Sequence, residues 1–146
     1  MDYYTFSPFT IENDDIDKAQ RESLFAVVSE SFSFGHKKFI TYSTFRAILS
    51  CRPFVILGNR GVLKQLKDWG FKTFDNILDE SYDDIEEPYL RIDTALNSFK
   101  NYKGRELKHI EVFQEVRDIV RHNYIHYCNN YIRANDDYID VFRRQL

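Results

Sequence analysis

Residues 53–70 read PFVILGNRGVLKQLKDWG. Pro53 opens a continuous apolar run, Phe54 to Leu57, rich in β-branched residues, and Gly58 ends it. Such a run between a proline and a glycine reads as a buried strand. Beyond the NRG turn, Val62, Leu63, Leu66 and Trp69 recur at helical spacing, and Gly70 stands where a helix C-cap is expected. The stretch is therefore a strand, a tight turn and a helix, and it sets the fold class of the chain.

Working outward, the pattern repeats on both sides. LFAVVSE, residues 24–30, is a second apolar run and reads as a strand buried on both faces. TYSTFRAILSC, residues 41–51, places Phe45, Ile48 and Leu49 on one helical face, with Thr41 as N-cap and Pro53 limiting its extent. FKTF, residues 71–74, reads as a short third strand. Strand–helix–strand–helix–strand with short helices favours right-handed crossovers and a parallel sheet. The expected class is α/β: a small, mostly parallel, Rossmann-like sheet with flanking helices and a helical C-terminal extension.

Pro88 and the acids before it start a further helix, with Leu90, Ala95, Leu96 and Phe99 on its broad face. From Arg105 to Asn135 the sequence predicts one long helix whose stripe is Ile110, Phe113, Val116, Val120, Tyr124, Tyr127 and Tyr131. The tail DDYIDVFRRQL predicts a last short helix. One domain over residues 1–146 is expected, with a core at 24–95 and the extension at 105–146.

Composition bounds the function. A net charge of −3 gives no electrostatic footprint for nucleic acid or an anionic membrane, so neither is expected as a partner. No window approaches ~18 uninterrupted apolar residues, so no membrane span is expected. The N-terminus lacks a basic, then apolar, signal pattern. Cys51 and Cys128 lie outside any metal-ligand spacing and read as two buried, reduced thiols, which suits a cytoplasmic location. Thirteen Phe and ten Tyr predict a ring-dense core with some tyrosines left for a surface.

Four constellations are candidates for chemistry. GNRG places Gly58, Asn59, Arg60 and Gly61 between a strand and a helix, where parallel sheets bind ligands and where helix N–H groups and a guanidinium attract phosphate. Glu30 ends the first strand, and Thr41, Thr44 and Arg46 open the next helix at the same edge, with Ser29, Ser31 and Ser43 nearby. The acids Asp75, Asp79, Glu80, Asp83, Asp84, Glu86 and Glu87 resemble a metal or acid–base cluster in composition only. Glu86 and Glu87 are accounted for as helix-start acids, Asp83 and Asp84 as turn residues of a solvated loop. His122 and His126 have the i,i+4 spacing of a metal clamp, but Asn123 stands where a zinc protease has glutamate, and they read as a solvated pair. His36 sits in a glycine loop. No metal and no cofactor are expected.

Taken in order, these residues resemble a family. The segment matches glycosyltransferase-like proteins of bacteriophages at Ser29-Glu30, Thr41, Thr44-Phe45, Pro53-Phe54, Gly58, Gly61, Leu63, Gly70-Phe71, Thr73-Phe74, Asp79 to Asp83 and Arg91. The resemblance implies the nucleotide-sugar-binding half of a Rossmann-like transferase, with the donor at the carboxyl edge of the sheet. It implies a structural role for DESYD, Tyr82 packed inward and carboxylates accepting backbone N–H bonds. Where such proteins carry T-E-K-T, this chain has Thr41-Tyr42-Ser43-Thr44. The acid and cation expected to hold ribose and phosphate are gone, and an acceptor-binding half is not expected within these residues. A degenerate donor half that binds a nucleotide sugar without transferring it alone is the leading expectation. The alternative is a non-enzymatic viral structural or host-interaction protein. It would act through residues 105–146, on a protein partner or a second copy, in the host cytoplasm or the virion.

Overall fold

The structure is a computed structural model, and it describes residues 23–30, 40–103 and 106–132. The expectations for the N-terminal segment, for the glycine loop with His36 and for the tail helix lie outside these residues. The chain is mixed α/β. Strand β1 (Ala26–Ser29) leads to helix α1 (Tyr42–Leu49), strand β2 (Phe54–Leu57) and helix α2 (Val62–Asp68). A 3-10 turn (Ser81–Asp84), helix α3 (Pro88–Lys100) and helix α4 (His109–Tyr127) follow, and α4 runs into a π turn (Cys128–Ile132).

Among the described residues the sheet has two parallel strands, in register from Ala26↔Phe54 to Ser29↔Leu57. β2 is buried along Phe54, Val55 and Ile56, as its apolar run requires. β1 departs from expectation. Val28 is buried, but Val27 is 46% exposed and Ser29 points out, so β1 alternates like a half-open strand.

The expected third strand is absent, and the hydrogen bonds say why. Ala26 and Glu30 donate to Pro53 O and Leu57 O, each at 2.9 Å, so those β2 residues face β1 and Ile56 and Gly58 face the opposite edge. There the Tyr82 hydroxyl lies 3.5 Å from Ile56 N, and Arg91 Nε donates to Gly58 O at 2.9 Å. Side chains cover the edge that a third strand would pair. Residues 71–74 instead run beside α4. Asn123 Oδ1 accepts from Lys72 N and Asn123 Nδ2 donates to Lys72 O, both at 2.8 Å, imitating a neighbouring strand with one amide. Phe71, Thr73 and Phe74 are still buried.

The helices mostly start and stop where their residues direct. Thr41 is extended and its hydroxyl accepts from Ser43 N, capping α1. Gly70, at φ 90°, reverses the chain after α2, with Phe71 N donating back to Leu66 O. Glu87 caps α3, with Pro88 in its first turn. Two helix faces differ from the sequence reading. On α3 the inward residues are Arg91, Ala95 and Ser98, while Leu90 is 54% exposed. On α4, which begins at His109 rather than Arg105, the inward residues are Val112, Val116, Val120, Asn123 and Tyr127. Ile110 and Tyr124 face outward and Phe113 is only partly buried. Val116, Val120 and Tyr127 of the expected stripe do face inward, while Val112 and Asn123 take the places expected for Phe113 and Tyr124.

Candidate functional site at the carboxyl edge of the strands

Glu30 follows β1 directly and is 2% exposed. Its Oε1 accepts from the Thr41 backbone N–H at 2.9 Å and from the Thr44 hydroxyl at 2.5 Å. The carboxylate thereby holds the start of α1, and Thr44 is itself fully buried. Oε2 is buried with no hydrogen-bond partner among the described residues. A buried polar atom left this way costs about 1–3 kcal/mol.

Gly58 stands beside it at the end of β2. A Cβ on Gly58 would come 3.4 Å from Glu30 Cβ and 3.4 Å from Ile56 Cγ2, in van der Waals contact with both, so the two strand ends lie close together there. The other side of Gly58 is held by Arg91, 5% exposed. Its guanidinium donates to three carbonyls: Gly58 at 2.9 Å, Ile85 at 2.6 Å and Glu86 at 3.1 Å. Sequence reading found Arg91 only as the last matched position of the resemblance. Its spacing to Ala95 and Ser98, i+4 and i+7, was the available signal that it belongs to the buried face.

The structure thus brings Glu30, Thr41, Thr44 and Gly58 together. Gly61 belongs to the next turn, at φ 77°, before α2. Arg60 pairs with Glu86 on the surface, both side chains more than half exposed. Arg46 sits on α1 and is half-buried, and Asn59 O accepts from Val62 N at 3.3 Å.

The N–H groups expected to greet an anion at GNRG already have partners. Gly61 N donates to Asp83 O at 2.8 Å, Leu63 N to Asp83 Oδ1 and Lys64 N to Asp83 Oδ2, both at 3.0 Å. Within the acid cluster Asp83 is therefore a brace, while Asp75, Asp79, Asp84, Glu86 and Glu87 are exposed, as a solvated loop would have them. Asp83 is buried, and Tyr82 is 1% exposed with its hydroxyl pKa raised by that burial. Glu80 accepts from Phe74 N and the Thr73 hydroxyl, both at 2.7 Å, and from Lys67 Nζ at 3.2 Å. Asp79 accepts from Ser81 N at 3.0 Å, and that backbone bond, then the Ser81 hydroxyl, lowers its pKa. The missing side-chain cap at Gly61 was the clue that a carboxylate must arrive from elsewhere.

His122 and His126 are a docking pair. Their rings stack at 5.8 Å, and their Nε2 atoms lie 2.9 Å from Gly70 O and 2.7 Å from Trp69 O, at the C-terminal end of α2. Among the described residues no cluster of His, Cys, Asp and Glu has metal-holding geometry. No described helix is long and apolar enough to cross a membrane. No protein-family model matches the chain, and neither a curated protein nor a solved structure matches it.

Proposed function

We propose that the chain is a glycosyltransferase-like donor half that binds a nucleotide sugar at the carboxyl edge of β1 and β2 and does not transfer the sugar by itself. The observation that carries the reading is the buried Glu30 carboxylate, with one oxygen fixed by α1 and the other without a partner. An acceptor oxygen at the end of a parallel strand is suited to a ligand hydroxyl, and ligands of open parallel sheets bind at that edge. In the resemblance the acid and cation lie at positions 42 and 43, where this chain has Tyr42 and Ser43. Glu30 supplies the acid from the neighbouring strand end, and Arg60 is the exposed cation nearest in sequence to Gly58. Binding without turnover is the reading because Tyr42 and Ser43 stand where the resemblance has the acid and the cation.

The alternative, a protein-interaction role for the tyrosine-lined helix, draws less support. Tyr127 is 2% exposed and its ring meets Phe45 at 5.2 Å, so that part of the stripe is used within the fold.

The test is a thermal-shift screen of the purified chain against nucleoside diphosphates and nucleotide sugars, repeated with Glu30→Gln. A ligand at ~100 times its dissociation constant stabilises by about 2.7 kcal/mol. A nucleotide sugar that shifts the wild type and not Glu30→Gln supports the reading. No shift with any nucleotide, or a shift indifferent to Glu30→Gln, overturns it.

A further inference from the structure

Both helices that start beyond the carboxyl ends of the strands open on a carboxylate of the chain itself. At α1 it is Glu30, whose Oε1 accepts from Thr41 N at 2.9 Å and from the Thr44 hydroxyl at 2.5 Å. At α2 it is Asp83, whose two oxygens accept from Leu63 N and Lys64 N, both at 3.0 Å. A helix start attracts phosphate through N–H groups without partners and through the positive end of its dipole. Here a carboxylate has taken N–H groups at each start and set negative charge against the dipole. Two cations close to Gly58 are engaged as well. Arg60 pairs with Glu86, and the Arg91 guanidinium donates to the carbonyls of Gly58, Ile85 and Glu86. What the edge leaves over is an acceptor. Glu30 is 2% exposed, and its Oε2 has no hydrogen-bond partner among the described residues. A buried carboxylate oxygen is satisfied by a donor, and it repels the oxygens of a phosphate.

We propose that this edge recognises its ligand through hydroxyl groups and that phosphate adds little to the affinity. The inference rests on the donor-half reading and says which part of a nucleotide sugar is read. A ligand hydroxyl donates to Glu30 Oε2, while the diphosphate stays in water beyond the two capped helix starts. The hydroxyl can belong to the ribose or to the sugar, since the chemistry at Oε2 is the same. The chain would then take a neutral nucleoside or a neutral glycoside as readily as its phosphorylated form.

Titration calorimetry on the full chain, at low and at high salt, tests this with ligands matched except for phosphate. Uridine, guanosine and adenosine are each compared with their diphosphates, and methyl glucoside with the anomeric phosphate of glucose. The glucose esters of the three diphosphates complete the set. The expected result is that the neutral member of at least one pair binds within about threefold of its phosphorylated partner. Raising the salt should change its affinity by less than about twofold, because no ion pair is made. Binding in a nucleoside pair assigns the hydroxyl to ribose, and binding in the glucoside pair assigns it to the sugar. Glu30→Gln should weaken the neutral ligand by about tenfold or more. A phosphorylated ligand that binds at least about tenfold tighter than its neutral partner, and loosens with salt, would overturn the inference and leave the donor-half reading standing. So would a nucleotide sugar that binds while every neutral ligand fails, or a neutral ligand indifferent to Glu30→Gln. Failure of every ligand, the nucleotide sugars included, would overturn the donor-half reading and the inference with it.

Discussion

Asp83 caps a helix that begins twenty-one residues before it, at Val62. Its two carboxylate oxygens take the N–H groups of Leu63 and Lys64, both at 3.0 Å, while its own carbonyl takes Gly61 N. One residue thus satisfies three of the donors that open α2. Asp83→Ala should cost about 1–3 kcal/mol, combining a lost cap with buried donors left unpaired. Urea unfolding measures this. Asp84→Ala, an exposed neighbour, should stay within ~0.5 kcal/mol. Equal effects for the two would remove the capping account.

Asn123 is 1% exposed and exchanges two hydrogen bonds with the Lys72 peptide unit. Asn123→Asp keeps the acceptor for Lys72 N but turns a donor into a carboxylate oxygen against Lys72 O. It should therefore destabilise more than Asn123→Ala, by roughly 1 kcal/mol or more. Denaturation midpoints of the two variants decide it, and the reverse order would mean that the amide contributes by packing alone.

Gly70 combines a left-handed backbone with a close neighbour. A Cβ there would lie 2.7 Å from His126 Cε1. Gly70→Ala should destabilise by at least ~1 kcal/mol from backbone strain, plus the clash with the ring. In a double-mutant cycle, His126→Ala should remove the clash and leave the strain, so the pair should be less harmful than the sum of the singles. Strict additivity would show that the imidazole moves aside freely.

Burial raises the Tyr82 pKa above its ordinary value, so the sign at alkaline pH is fixed. The folded state keeps the phenol neutral while the unfolded chain ionises from about pH 10. The stability linked to Tyr82 is complete below the unfolded value and declines as pH rises from there towards the folded value. Tyr82→Phe should flatten the fall of stability above about pH 10 relative to wild type. An unchanged alkaline slope would assign the fall to other groups, Tyr127 among them.

Local signals carried the first half of the fold. The apolar runs at β1 and β2, the Thr41 cap and the turn at Gly70 each follow from a few neighbouring residues, and the structure has them all. What could not be read locally is what distant side chains do. FKTF has the composition of a strand, but whether it pairs depends on what covers the far edge of β2, and Tyr82 and Arg91 cover it. The inward Tyr82 and the carboxylates that accept backbone N–H groups were expected of DESYD, but not that the donors of Asp83 would be Leu63 and Lys64. On the α4 stripe Val116, Val120 and Tyr127 were legible, and the misses arose because Asn123, polar by type, belongs to the buried face and Tyr124 does not. At the candidate site, the grouping of Glu30 with Thr41 and Thr44 was legible from strand-end logic. The Arg91 contacts with Gly58, Ile85 and Glu86 were not.

Three residues within one turn and a quarter of α4 supply partners to a segment more than fifty positions earlier: His126 to Trp69, His122 to Gly70 and Asn123 to Lys72. This imposes a sequence of events on synthesis. While the chain emerges from its N-terminal end, β1, α1, β2 and α2 can form with local partners. The last carbonyls of α2 and the Lys72 peptide must stay hydrated until α4 arrives. Long-range closure of this kind comes late, because loop entropy is spent before the contact rewards it. Pulsed hydrogen exchange during refolding should therefore protect the amide of Glu30, which donates to Leu57 O, before that of Lys72. Simultaneous protection would mean that α4 docks in the first step, and that a nascent chain stopped short of Asn123 has no native-like half to preserve.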